Sequence, residues 1–174
     1  MPILFRLLAV IGLMMSLSAC YVTTGSIIPP ERAEALPGLE GNWTTVEGEA
    51  TDVATIATVA GTNDYQMTST APDAEGQVLL MRGFNLAGDT YVAQVWDQAA
   101  PEEGTILVFL VFQGDTIAIV ATTDDTQQMA AAHSVTLGQD NIEVTGEPAN
   151  ILAFLEDHAD AAFTPPEPMM KRVN

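Results

Sequence analysis

The sequence predicts a mainly β (α+β) domain, a curved antiparallel meander or barrel-like sheet with one or two short helices towards the C-terminus. Short runs rich in Val, Ile, Thr and aromatic residues follow one another from about residue 42 to residue 122, broken by Gly, Asn and Asp. Gly88-Asp89-Thr90 and Gly114-Asp115-Thr116 stand between apolar runs. They read as hairpin turns, in which Gly supplies a positive φ and Asp bonds the local backbone. Helical spacing of apolar residues appears only after the strands thin out, beyond residue 123.

Taken in order, the strands are expected near 42–48, 53–60, 64–69, 77–86, 90–97, 105–112, 116–122 and 134–145, the last a hairpin around Gly138-Gln139-Asp140-Asn141. The run Ile106 to Phe112 is apolar at both parities, which fits a central strand covered on both faces. Glu102, Glu103 and Asp115 flank it as charges that discourage aggregation. A short helix is predicted over 124–133, where acidic residues precede Gln, Met and Ala. A second is predicted over 150–163, with Asn150 as cap and Ile151, Phe154, Leu155 and His158 along one face.

The flanks read differently. Residues 20–38 carry Pro29, Pro30 and Pro37 with little periodicity and are expected to form a flexible tether. Residues 164–174, with three prolines, are expected to be a disordered tail. A single β-rich domain over 39–163 lies between them, ahead of which residues 1–19 form a separate leader.

Arg6 and the apolar run Leu7 to Met15 make that leader: a positive start and an apolar stretch of signal-peptide length, shorter than the roughly 20 residues that span a bilayer. It is followed by Leu17-Ser18-Ala19-Cys20, and Cys20 is the one cysteine among 174 residues. This arrangement resembles the lipobox of bacterial lipoproteins, in which a branched apolar residue and two small residues precede an invariant cysteine. The resemblance implies that residues 1–19 are removed, that Cys20 is lipidated, and that the chain is held in the periplasm by its acyl groups. Tyr21 stands where an Asp would favour retention at the inner membrane, so the resemblance implies the periplasmic face of the outer membrane.

Charge narrows the partners. The full chain has 5 basic and 23 acidic residues, a net charge of −18. Loss of Arg6 with the leader leaves four bases against the same acids. Nucleic acid and anionic lipid surfaces are thereby excluded as partners of the domain itself, and the self-repulsion is best tolerated in salt. The acids occur in nearly every turn, which predicts an even spread rather than one acidic block.

Chemistry-bearing patterns are sparse. No serine sits in a G-x-S-x-G turn, no Gly-Lys pair marks a phosphate loop, and His133 and His158 lack metal-ligand spacing. The expectation is a protein that is not an enzyme, with no catalytic residues, no cofactor and no metal.

Two residues stand out beyond Cys20. Gly41-Asn42-Trp43 opens the first strand of the expected domain and resembles the G-x-W motif of lipocalins, whose Trp closes one end of a ligand-holding eight-stranded barrel. Lipocalins also lay an Arg from near the final strand across that Trp, and no basic residue is expected in that region here. Arg82 shares strand parity with Val78, Leu80, Phe84 and Leu86, the more apolar face of its run. A buried Arg needs partners, so it is either a bridge to a carboxylate, stacked on Trp43 or Trp96, or the anion-binding group of a cavity. The expected role is binding or envelope maintenance by a lipid-anchored monomer. The alternatives are a lipocalin-like carrier of a small apolar ligand and an acidic binder of cationic proteins such as lysozyme, making an envelope protein or an apolar molecule the partner.

Overall fold

Alternating small and apolar residues in short, turn-bounded runs build a wall of strands whose two faces differ in partner. The computed structural model describes residues 20–46, 52–101, 104–119, 126–138, 143–160 and 167–173. Its strands are β1 (Cys20–Thr23), β2 (Gly41–Thr45), β3 (Ala54–Thr58), β4 (Asp64–Ser69), β5 (Val78–Ala87), β6 (Thr90–Asp97), β7 (Thr105–Gln113), β8 (Thr116–Ile119), β9 (Thr136–Leu137), β10 (Val144–Thr145) and β11 (Glu167–Arg172). Helix α1 spans Thr126–Ala132 and α2 spans Pro148–Asp160.

Strands β2 to β8 form an antiparallel meander, and β11 lies between β2 and β8 to close it into an eight-stranded barrel. The ninth strand shares an edge. The Leu110–Gln113 half of β7 pairs with β8, and its Thr105–Val108 half pairs with β1. β1 therefore continues the line of β8 in the wall.

Parity then divides the apolar residues between two cores. Met67, Leu79, Met81, Val95, Val108 and Ile117 belong to the barrel interior. Phe84, Val92, Leu107 and Phe109 belong to a second cluster outside it, covered by Ile151, Leu152, Phe154 and Leu155 of α2. The expectation for Ile106 to Phe112 is met: residues 105–110 are all buried, because β7 has the barrel lumen on one side and α2 on the other. Helix α2 begins at Pro148, two residues before the expected cap, since proline's fixed φ and missing N–H suit a first helical turn.

Both flanks depart from expectation. Residues 20–38 are not a tether. Tyr21, Ile27, Ile28 and Leu36 are buried, and Gln94, itself buried, accepts hydrogen bonds from the N–H groups of Ile27 and Ile28 at 2.7 and 2.8 Å. Pro29 is extended and Pro30 opens a short 3-10 turn over Pro30–Arg32, and the segment's apolar residues lack periodicity because they serve different surfaces. Residues 167–172 are likewise not a disordered tail but strand β11. Pro168 is tolerated there because the register shifts between Pro168 and Met170, a bulge at which proline's missing donor breaks no ladder.

Candidate functional site: an apolar cavity above a tryptophan plug

One end of the barrel is closed by the chain that precedes β2. Leu36 and Leu39 fold into the lumen beside Trp43, and all three are at most 3% exposed. The Trp43 indole donates to the Leu39 carbonyl at 2.8 Å, and the Tyr65 hydroxyl accepts from the Leu36 N–H at 2.8 Å. Gly83 is where this plug meets the wall: a Cβ there would collide with the Leu36 side chain, so only glycine admits it. Beyond Arg82, β5 has no β4 neighbour, and the Gly83 carbonyl instead accepts from Glu34 N–H at 2.9 Å.

The basic residue missing from the expectation arrives with β11. Arg172 lies opposite Trp43 in the ladder, with its guanidinium 4.5 Å from the indole ring centroid. It donates to the carbonyls of Glu40 at 2.8 Å and Gly38 at 2.6 Å. Gly41 explains the glycine of the G-x-W triplet: its φ is +133°, and a Cβ would strike the Arg172 guanidinium. The sequence reading overlooked Arg172 because it assigned that stretch to a tail.

Above the plug lies a cavity of about 60 Å³ lined entirely by apolar side chains. Its floor is Leu39, and its walls include Ala93, Val95, Val108, Leu110 and Ile117. Four methionines also line it: Met67 and Met81 on neighbouring strands, and Met169 and Met170 from the bulge in β11. Only five methionines follow Cys20 in the sequence, so four of five converge on one space. No periodicity could have announced this, since the convergence depends on β11 reaching across the barrel.

Arg82 lies elsewhere. Its parity with Phe84 was read correctly, but that face is the outside of the barrel, so it does not line the cavity. It makes a two-pronged pair with Asp64 at 2.7 Å per bond and donates to the Ile28 carbonyl at 2.9 Å. The Trp96 ring lies 5.5 Å from its guanidinium. This is the bridging role, and it straps residues 26–28 to the wall. Among the described residues, no group of three His, Cys, Asp or Glu side chains is arranged to hold a metal ion.

Cys20 opens β1 opposite Val108, a cavity-lining residue, so its side chain shares the lumen-facing side of the wall. Burial there pushes the thiol pKa up to about 12. His133, at the end of α1, contacts the Asp157 carboxylate at 2.7 Å. His158 is buried against Phe109 and Phe154, and desolvation lowers its pKa from the ordinary 6.5.

Fold and site together define a class: a closed antiparallel barrel, plugged at one end by a Trp–Arg stack and holding an apolar cavity. No protein-family model, curated protein or solved structure matches the chain.

Proposed function

We propose that this chain is a lipid-anchored periplasmic binding protein of the outer membrane that holds a small apolar ligand in its barrel. The observation that carries the binding role is the wholly apolar cavity above the plug. A folded domain gains stability by filling such space, and methionine, unbranched and with three rotatable bonds, is the side chain best able to rearrange around a guest. The Trp43–Arg172 stack strengthens the likeness to lipocalins. A ligand in the cavity above that plug is the corresponding reading here.

The anchor rests on the lipobox at Leu17-Ser18-Ala19-Cys20. Acylation of Cys20, as first residue of the processed chain, requires its side chain to leave the lumen-facing side of the wall where it packs in this structure. With residues 21–38 packed on the barrel, the domain then rides close to the lipid surface rather than on a stalk.

Two measurements test this. Fractionation of cells making Cys20→Ser should show loss of processing and of stable membrane attachment, since one acyl chain alone binds membranes at only about 10⁴ M⁻¹. Unchanged processing and retention would discard the anchor. Residues 20–174 carrying Cys20→Ser should enhance the fluorescence of an uncharged apolar dye saturably and at one site. Absence of saturable binding would discard the cavity as a ligand site.

A further inference from the structure

Resting on that binding role, we infer that the cavity carries its own oxidation switch: Met169 and Met170 are modification sites, at which a hydroperoxide converts thioether to sulfoxide and so shuts the apolar site. The placement of the pair comes from the bulge in β11. In a regular strand neighbouring side chains point to opposite faces, so only one of two consecutive residues reaches the lumen. Here the register along β8 passes from Pro168 opposite Ala118 directly to Met170 opposite Ile117. Met169 is the extra residue, and both thioethers line the cavity. The Val46 N–H, just beyond β2, donates to the Met169 carbonyl at 2.9 Å and fixes the bulged backbone from that side.

The lining methionines differ in access. Met67 and Met81 are each 6% exposed, whereas Met169 and Met170 are half-buried and touch the cavity and the surface at once. Met129 is also half-buried but packs on the outer core. Oxidation follows exposure, so a small oxidant reaches Met129, Met169 and Met170 before Met67 and Met81. The reaction is a two-electron oxygen transfer. A sulfur lone pair takes one oxygen of hydrogen peroxide, the O–O bond breaks, and the other oxygen leaves with both protons as water; sulfur is oxidised and the peroxide reduced. The sulfoxide is polar, and every side chain lining the cavity is apolar. Kept inside, it has no side-chain donor to bond; turned to solvent, it withdraws part of the cavity wall. Either way an apolar guest loses affinity. The β11 ladder is backbone and is untouched by the reaction, so the barrel stays closed while the site is shut.

The test uses residues 20–174 carrying Cys20→Ser, so that no thiol competes for oxidant, and the uncharged apolar dye of the binding assay. Treated with hydrogen peroxide and sampled over time by mass spectrometry, the protein should gain sulfoxide at Met129, Met169 and Met170 ahead of Met67 and Met81. Dye affinity should fall roughly tenfold or more, in step with Met169 and Met170, while thermal unfolding stays cooperative. A thiol-driven methionine sulfoxide reductase should restore it. Met129→Leu should respond as the parent does. Met169→Leu with Met170→Leu, whatever its starting affinity, should bind the same before and after peroxide; should that variant not fold, the parent's time course decides by the same correlation. If dye affinity survives sulfoxide at 169 and 170, or if the loss persists in the double variant, the switch is overturned while the binding role stands. Unfolding on oxidation, or no recovery on reduction, would mean damage instead of a switch and overturn it equally. If the reduced protein takes up no dye saturably, the binding role and the switch fail together.

Discussion

The two apolar cores of this molecule share a wall, yet they are built from different side chains. On the lumen side, Met67, Met81, Met169 and Met170 surround unfilled space. Outside, the same strands are covered by interlocking rings: Tyr21 sits edge-on to Phe109 at 5.7 Å, and Phe154 packs on both Tyr21 and His158. Flexible thioethers tolerate alternative packings, whereas aromatic rings in edge contact define one. The contrast teaches that rigidity is placed where α2 must be held and adaptability around the apolar cavity.

The largest effect that would break this contrast lies at the plug. Trp43 is fully buried, and Trp43→Ala should destabilise the fold by about 3–5 kcal/mol and abolish dye binding, read by denaturant titration and fluorescence. An unchanged midpoint would mean the plug does not support the barrel. The strap comes next. Arg82→Met leaves Asp64 without its partner in a site where both side chains are mostly shielded, and should cost about 3 kcal/mol while leaving the cavity able to bind. Lost dye affinity at unchanged stability would instead put Arg82 in the ligand site.

Arg172→Ala removes a ring stack and two charge-assisted hydrogen bonds, for an expected loss of about 2 kcal/mol. Arg172→Lys should recover only part of it, because an ammonium cannot stack flat while bonding two carbonyls. Full recovery by lysine would reduce the stack to a simple charge effect.

The smallest effect belongs to the outer core. Burial lowers the His158 pKa, so the unfolded chain, titrating near 6.5, binds the proton more readily than the folded one. The stabilising contribution of the neutral ring is complete above about pH 6.5 and is lost progressively as the pH falls below it. Comparing the thermal midpoints of the parent and His158→Gln between pH 7.5 and 5 isolates this slope. The parent should lose more stability over that interval, and parallel curves would show that the ring does not titrate against the fold.

Much of the wall was legible residue by residue. Alternating apolar positions located β2 to β7, the Gly-Asp-Thr turns marked two hairpins, and Ile106 to Phe112 declared a strand with two covered faces. Local pattern suffices there because each side chain's direction follows from strand period alone. The parity of Arg82 was equally legible, but which face pointed inward was not, since parity groups residues without saying what covers them.

What the sequence by itself determined is therefore the strand succession, the turns and the charge, all of which are read from neighbours along the chain or from composition. Tertiary structure decided that residues 20–38 are strapped to the wall, that β11 closes the barrel despite Pro168, and that Arg172 covers Trp43 across 129 positions of sequence. It also brought four methionines from three strands into one cavity. These are contacts between segments remote along the chain, and their physical cause is barrel closure: only when β11 pairs with both β2 and β8 do the plug and the cavity exist.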